Sequence, residues 1–171
     1  MSGIEPIERI HALLALYRES HYDVDLPDGV TATIRVGAML PDEIIGWLGA
    51  DTHALYMTAC NPRSRSLPHE ENERRLATLR AEVEARGGRF LEGAGYMAGE
   101  SWREPSVLAS GIALDELDAL AAAHDQNAAV LVRPGRRSAL RLYRADWRVL
   151  LGAADDIEWF DPTNPRGTRR A

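Results

Sequence analysis

Apolar residues recur at two periods along this 171-residue chain, and the switches between them mark out its elements. Over residues 4–19, Ile7, Ile10, Leu14 and Tyr17 fall at helical spacing with Glu8, Arg9 and Arg18 between them, which predicts an amphipathic helix. Two strands follow, Tyr22–Leu26 and Thr31–Val36, on either side of the turn signal Pro27-Asp28-Gly29. Pro41-Asp42-Glu43 opens a short helix that runs to Trp47-Leu48 and stops at Gly49. Residues 54–60 read as an apolar strand, and 61–69 as a loop rich in Pro, Arg and Ser. Residues 70–86 read as a helix whose stripe is Leu76, Leu79 and Val83. Glu70, Glu71 and Glu73 suit its positive end, and Gly87-Gly88 stops it. A strand from Arg89 through Leu91, reaching toward Tyr96, leads into a loop over 97–105. A strand at Val107–Ile112, a helix at 114–124 and a strand at Ala128–Val132 come next. Pro134-Gly135 then turns into Ala139–Tyr143, where Leu140 and Leu142 alternate with Arg141 and Tyr143. The acidic, proline-bearing stretch 153–171, with its basic end at Arg166, Arg169 and Arg170, predicts an irregular polar tail. Only Trp159-Phe160 would dock on the body.

From 54 to 133 the order is strand, helix, strand, strand, helix, strand. That is the split βαβ, or ferredoxin-like, pattern: an α+β fold with an antiparallel sheet and helices on one face. The N-terminal helix and strands would extend or cover that sheet. With no repeat and no dividing linker, 1–152 reads as a single domain with its core at 54–144. An open doubly wound sheet is the alternative topology.

The split βαβ order has a consequence for the polar residues that punctuate the middle of the chain. The first strand ends at Asn61, and Asn72 lies in or near the first turn of the helix that starts at the same edge. Glu104 and Ser106 lead into the third strand there, and Gln126-Asn127 enters the last strand from that side too. Element ends are where binding groups usually sit. Neutral amides with neighbouring Arg63, Ser64, Arg65, Arg75 and Arg103 suit directional recognition of a small polar or anionic ligand. Glu104 is the candidate general acid/base, being the one carboxylate at a strand entrance in this set. The competing readings are structural: Glu104 paired with Arg103 or Arg63, Asn61 starting a turn before Pro62, Asn127 capping a helix.

Other chemistry finds less support. Cys60 reads as a small buried residue rather than a nucleophile, with His69 on the following loop as the nearest base in sequence. His11, His21, His53, His69 and His124 show no metal-ligand spacing, so no metal or other cofactor is expected. No phosphate-binding glycine motif and no nucleophile elbow is present. RNA recognition on such a sheet needs aromatics on the first and third strands. The first has only Tyr56, and the third, Val107–Ile112, has none.

Composition sets the outer bounds. Hydrophobic residues make up 45% and charged residues 27%, as in ordinary globular domains. A net charge of −6 and a pI near 5.4 argue against general nucleic-acid binding. No apolar run approaches the ~18 residues of a membrane span. The opening Met1-Ser2-Gly3-Ile4-Glu5 lacks the pattern of a secretory signal. One cysteine rules out an intramolecular disulfide and fits a reducing cytoplasm. All the basic residues are arginine, which points to a GC-rich bacterial genome.

The order and spacing of Thr58-Ala59-Cys60-Asn61-Pro62, Asn72-Glu73-Arg74, Glu104-Pro105-Ser106 and Gln126-Asn127-Ala128 resemble the bacterial domain-of-unknown-function 3293 family over roughly residues 54–132. The resemblance implies a bacterial, cytoplasmic protein and picks out the same polar residues, without an activity to carry over. The leading expectation is a binding or regulatory module. Its edge, Asn61, Asn72, Glu104, Ser106, Gln126 and Asn127, would hold a small polar ligand or a partner segment. The alternatives are an enzyme, hydrolase or transferase, using Glu104, and a structural protein that forms a homo-oligomer through its N-terminal helix.

Overall fold

Five α-helices and eight strands appear in a computed structural model that describes residues 5–163. Residues 1–4, which include the expected start of the first helix, lie outside the described residues, as does the basic end with Arg166, Arg169 and Arg170. Helix α1 (Ile7–Glu19) leads into β1 (His21–Asp25) and β2 (Thr31–Ile34). Helix α2 (Asp42–Leu48) precedes β3 (Ala54–Met57). A 3-10 turn (Pro62–Ser64) enters α3 (His69–Ala85), followed by β4 (Arg89–Tyr96) and β5 (Glu104–Ser110). Then come α4 (Leu114–Ala123), β6 (Ala128–Val132), β7 (Ala139–Leu142), α5 (Ala145–Arg148) and β8 (Ile157–Trp159).

All eight strands form one sheet in the order β2-β1-β4-β5-β3-β6-β7-β8. Every pairing is antiparallel except β7 with β8, which excludes the doubly wound parallel alternative. Near the β4 end of this ladder the chain admits no side chain at Gly93. A Cβ there would stand 2.1 Å from the Asp23 carbonyl oxygen of β1.

The sheet curls. In a flat sheet β2 and β7 would stand roughly 30 Å apart, six strand spacings. Instead the segment after β2 pairs with the segment before β7. Gly37 N–H donates to the Ser138 carbonyl, and Ser138 N–H to the Ala38 carbonyl, each at 2.8 Å. Alternating side chains then feed two separate cores. On the concave face Ala54, Tyr56, Leu108, Val130 and Leu140 pack with Ile10 and Leu14 of α1, Ile44 and Leu48 of α2, and Trp147. On the convex face Leu55, Met57, Val107, Ala109 and Leu131 pack with Leu76, Leu79 and Val83 of α3 and Leu117, Leu120 and Ala121 of α4. The molecule is thus a mixed α+β protein with helices on both faces. Expecting helices on one face describes only α3 and α4. Of the apolar stripe of α1, Ile10 and Leu14 are buried inside the protein, while Ile7 is 39% exposed.

Two further expectations change. Tail residues Ile157–Trp159 form β8, parallel to β7, because β7 leaves an open edge that Asp156 and Phe160 close with backbone hydrogen bonds to Leu140 and Leu142. The first core strand stops at Met57 instead of reaching residue 60. The Thr58 hydroxyl donates to the Pro105 carbonyl (2.7 Å) and accepts from Cys60 N–H (3.0 Å), which takes the chain out of the ladder. Among the described residues no helix is long and apolar enough to cross a membrane.

Candidate functional site

Beyond Thr58 the backbone takes an unusual course. Asn61, Arg63 and Ser64 all have left-handed backbones, with φ of 46°, 53° and 55°. Such conformations cost non-glycine residues about 1–3 kcal/mol each and persist only where surrounding contacts hold them. Here the contacts centre on the Asn61 amide. Its Oδ1 accepts from Leu67 N–H (3.0 Å) and from Asn72 Nδ2 (2.9 Å), while its own N–H donates to Asn72 Oδ1 (2.9 Å). Its Nδ2 donates to Glu104 Oε2 at 2.8 Å. The end of β3, the start of α3 and the start of β5 are tied together by this one side chain.

Gln126 fastens the fourth element. Its Nε2 donates to the Cys60 and His124 carbonyls at 3.1 and 3.3 Å. Asn127 reaches the opposite way. Its Nδ2 donates to the Tyr17 and Ser64 hydroxyls, both at 3.2 Å, and those hydroxyls share a 2.7 Å hydrogen bond. Arg144 fixes the other end of the Asn127 amide at 3.0 Å.

These residues border a cavity of about 320 Å³ at the rim of the concave face, between the C-terminal end of α1 and the sheet. Its walls include Tyr17, Tyr22, Tyr56, Met57, Val130 and Leu140, with Trp102 and Ser66 exposed beside it. Tyr22 and Tyr56 meet edge to face, with ring centroids 5.3 Å apart. Glu104, Asn61, Gln126, Asn127, Ser64 and Ser106 supply polar lining, and among the described residues no Arg, Lys or His lines this space. A second space of about 310 Å³ lies beyond Asn61 and Glu104, which border both. It is lined by Cys60, His69, Asn72, Arg80 and Arg103.

Hydrogen-bond capacity in the first cavity is uneven. Tyr22 donates to the Tyr17 carbonyl, Tyr56 to the Asp23 carbonyl, Ser20 to the Leu16 carbonyl and Ser106 to the Glu104 carbonyl. Both Gln126 Nε2 hydrogens and both Asn127 Nδ2 hydrogens are likewise committed to protein acceptors. What remains is one hydrogen of the Tyr17–Ser64 pair and one of the Asn61 amide, with the Ser66 hydroxyl and the Trp102 indole N–H on the exposed side. On the acceptor side, Glu104 Oε1 and Gln126 Oε1 have no partner among the described residues.

Among the described residues Glu104 also has no cationic partner. Burial pushes its carboxyl above the ordinary value of 4.5, against the opposing hydrogen bond from Asn61. The arginines that might have neutralised it are engaged elsewhere. Arg103 lies over the Tyr96 ring at 4.3 Å and pairs with Asp23, and Arg63 pairs at 3.6 Å with exposed Asp125. Arg75 bridges the Ala59 and His124 carbonyls, so it braces the site from behind. Asn72 serves the second space and the Asn61 brace. Of the ligand-binding set expected from the sequence, Asn61, Ser64, Ser106, Gln126 and Asn127 line the cavity with Glu104. Arg63, Arg75 and Asn72 do not.

Cys60 is buried, and burial raises its thiol above the ordinary value. His69 is exposed and pairs with Glu73 at 3.1 Å. Among the described residues no group of three or more His, Cys, Asp or Glu side chains is placed to hold a metal ion. The aromatic half of the cavity is the part that sequence reasoning missed. Tyr17 and Tyr22 flank the junction of α1 and β1, and an aromatic pair across a helix-to-strand junction was the available signal.

Comparison with known proteins fits this picture. The model of the family described as "Protein of unknown function (DUF3293)" matches residues 57–129, so that segment is similar to this family. The matched segment carries Asn61, Asn72, Glu104, Ser106, Gln126 and Asn127, whereas Tyr17, Tyr22, Tyr56, Val130 and Leu140 lie outside it. No curated protein and no solved structure matches the chain.

Proposed function

We propose that this protein binds a small molecule in the concave cavity, with Glu104 as its polar anchor and the tyrosines as its apolar walls. The observation that carries this reading is a largely buried carboxylate with no counter-ion among the described residues at the edge of a space of about 320 Å³. A charged group in such a position is costly unless something else pairs with it. The volume falls at the low end of the ~300–1,000 Å³ range of ligand pockets. The same reading takes β3-α3-β4-β5-α4-β6 as a ferredoxin-like split βαβ unit. Its support is the antiparallel order β4-β5-β3-β6 with α3 and α4 on one face. A single free, buried thiol suits a cytoplasmic protein.

A second reading, an enzyme that uses Glu104 as general acid/base, is favoured by the upward displacement of its carboxyl. One experiment addresses both. A fragment library is screened by ¹H–¹⁵N NMR against wild type and against Ala128→Phe, which fills the cavity. Hits that perturb Tyr17, Tyr22 and Glu104 in wild type and are lost in Ala128→Phe support binding. A library without one such hit overturns it. Chemical change in a bound hit that stops in Glu104→Gln favours the enzyme.

A further inference from the structure

We infer that the ligand of the concave cavity presents a protonated or quaternary amine on a flat apolar body; this rests on the small-molecule reading above. Three observations converge. First, among the described residues Glu104 is the cavity's one carboxylate and has neither an arginine nor a histidine partner, so a cationic ligand would supply the compensating positive charge. An anionic ligand would add like charge beside it with no Arg, Lys or His among the described residues that line the space. This displaces the anionic alternative expected from the nearby arginines in the sequence.

Second, most interior hydrogens already serve protein acceptors, while Glu104 Oε1 and Gln126 Oε1 are left as acceptors. Gln126 cannot turn over to reverse this, because its Nε2 faces two carbonyl oxygens and an oxygen there would meet both. The complementary ligand is therefore a hydrogen-bond donor. Third, the hydroxyls of Tyr17, Tyr22 and Tyr56 are occupied, so these residues offer the ligand mainly their rings. Aromatic faces attract cations through their quadrupole, and more strongly in a desolvated pocket. A carboxylate beside several such rings is complementary to an ammonium group and to the flat carbon skeleton that carries it.

The test uses four probes of one size: benzylamine, benzyltrimethylammonium, benzyl alcohol and benzoate. Each is titrated into the full-length protein and into Glu104→Gln, with binding followed by ¹H–¹⁵N NMR shifts at Tyr17, Tyr22 and Gln126. The expected result is that at least one of the two cations binds about tenfold or more tighter than the alcohol. In Glu104→Gln that preference is lost. Benzyl alcohol or benzoate binding as tightly as the cations overturns the amine inference and leaves small-molecule binding standing. So does a preference that survives in Glu104→Gln. If none of the four probes shifts these resonances, the amine inference fails, and the broader reading is then decided by the fragment screen alone.

Discussion

Two carboxylates on opposite faces of the sheet show how differently one chain can treat a buried acid. Asp118, on α4, is fully buried on the convex face. Arg141 meets it with Nε at 3.1 Å and Nη2 at 2.6 Å, and the Tyr143 hydroxyl donates to it at 2.7 Å. Arg141 also faces Glu158 of β8, which Arg133 holds in turn, so the cluster pins α4, β7 and β8 together. Glu104, at the rim of the concave face, has one amide donor and open space. The first arrangement is closed and complete. The second is incomplete without something that the described residues do not supply. Burial alone therefore does not mark a site; a buried charge left without its partner does.

The comparison breaks first if the convex cluster is dispensable. Replacing Arg141 with Met leaves Asp118 buried and uncompensated, and should cost about 3–5 kcal/mol in urea unfolding. The double change Asp118→Leu with Arg141→Met should recover most of that loss, since apolar replacements of buried pairs are often neutral or better. A loss below about 1 kcal/mol for Arg141→Met would put the pair in the class of surface ion pairs.

On the concave side the next largest effect belongs to Asn61. Asn61→Ala removes the donor to Glu104 and the acceptor for Leu67 N–H and Asn72 Nδ2, while keeping the left-handed backbone. Unsatisfied buried groups cost about 1–3 kcal/mol, and a destabilisation in that range is expected from chemical denaturation. No measurable change would mean that Asn61 does not organise the edge. The Glu104 environment would then need another explanation.

Much of the edge was legible because its residues sit at element ends inside one crossover unit, where strand order alone brings them together. Asn61, Glu104 and Gln126 meet for that reason. The aromatic wall was not legible, because it depends on contacts far apart in sequence. Tyr17 reaches Ser64 and Asn127 only because the sheet curls around α1, and no local period encodes that curl. The convex clamp was hidden by periodicity itself. Arg141 alternates with Leu140 and Leu142 and so reads as an outward residue, yet α4 covers that face and leaves it 3% exposed. β8 escaped because three residues in an acidic stretch carry little pattern; the open edge of β7 gives them their partner.

Glu104→Gln reverses the sign of the effect. The folded protein holds the Glu104 proton above the ordinary value of 4.5, so that proton stabilises the fold fully below the unfolded value, and the contribution is lost as pH rises through the folded value. Glutamine keeps an acceptor for Asn61 and carries no charge. The variant should therefore melt above wild type at about pH 8, and the gap should close below about pH 4. A variant that melts below wild type at the higher pH would show that the carboxylate already has a counter-charge. The contrast with Asp118 would then disappear.

The smallest effect concerns a third carboxylate. Asp125 is exposed and pairs with Arg63 at 3.6 Å, both side chains being about half accessible. Solvent screens such a pair, and Arg63→Ala keeps the same left-handed backbone requirement at φ 53°. The expected change in unfolding free energy is within about 0.5 kcal/mol, with benzylamine affinity unaltered because Arg63 does not line the cavity. That outcome would complete a series in which Asp118 depends on its arginine, Asp125 does not, and Glu104 has none among the described residues. A clear loss of amine affinity in Arg63→Ala would instead place Arg63 in the site, and the cavity's charge balance would have to be redrawn around it.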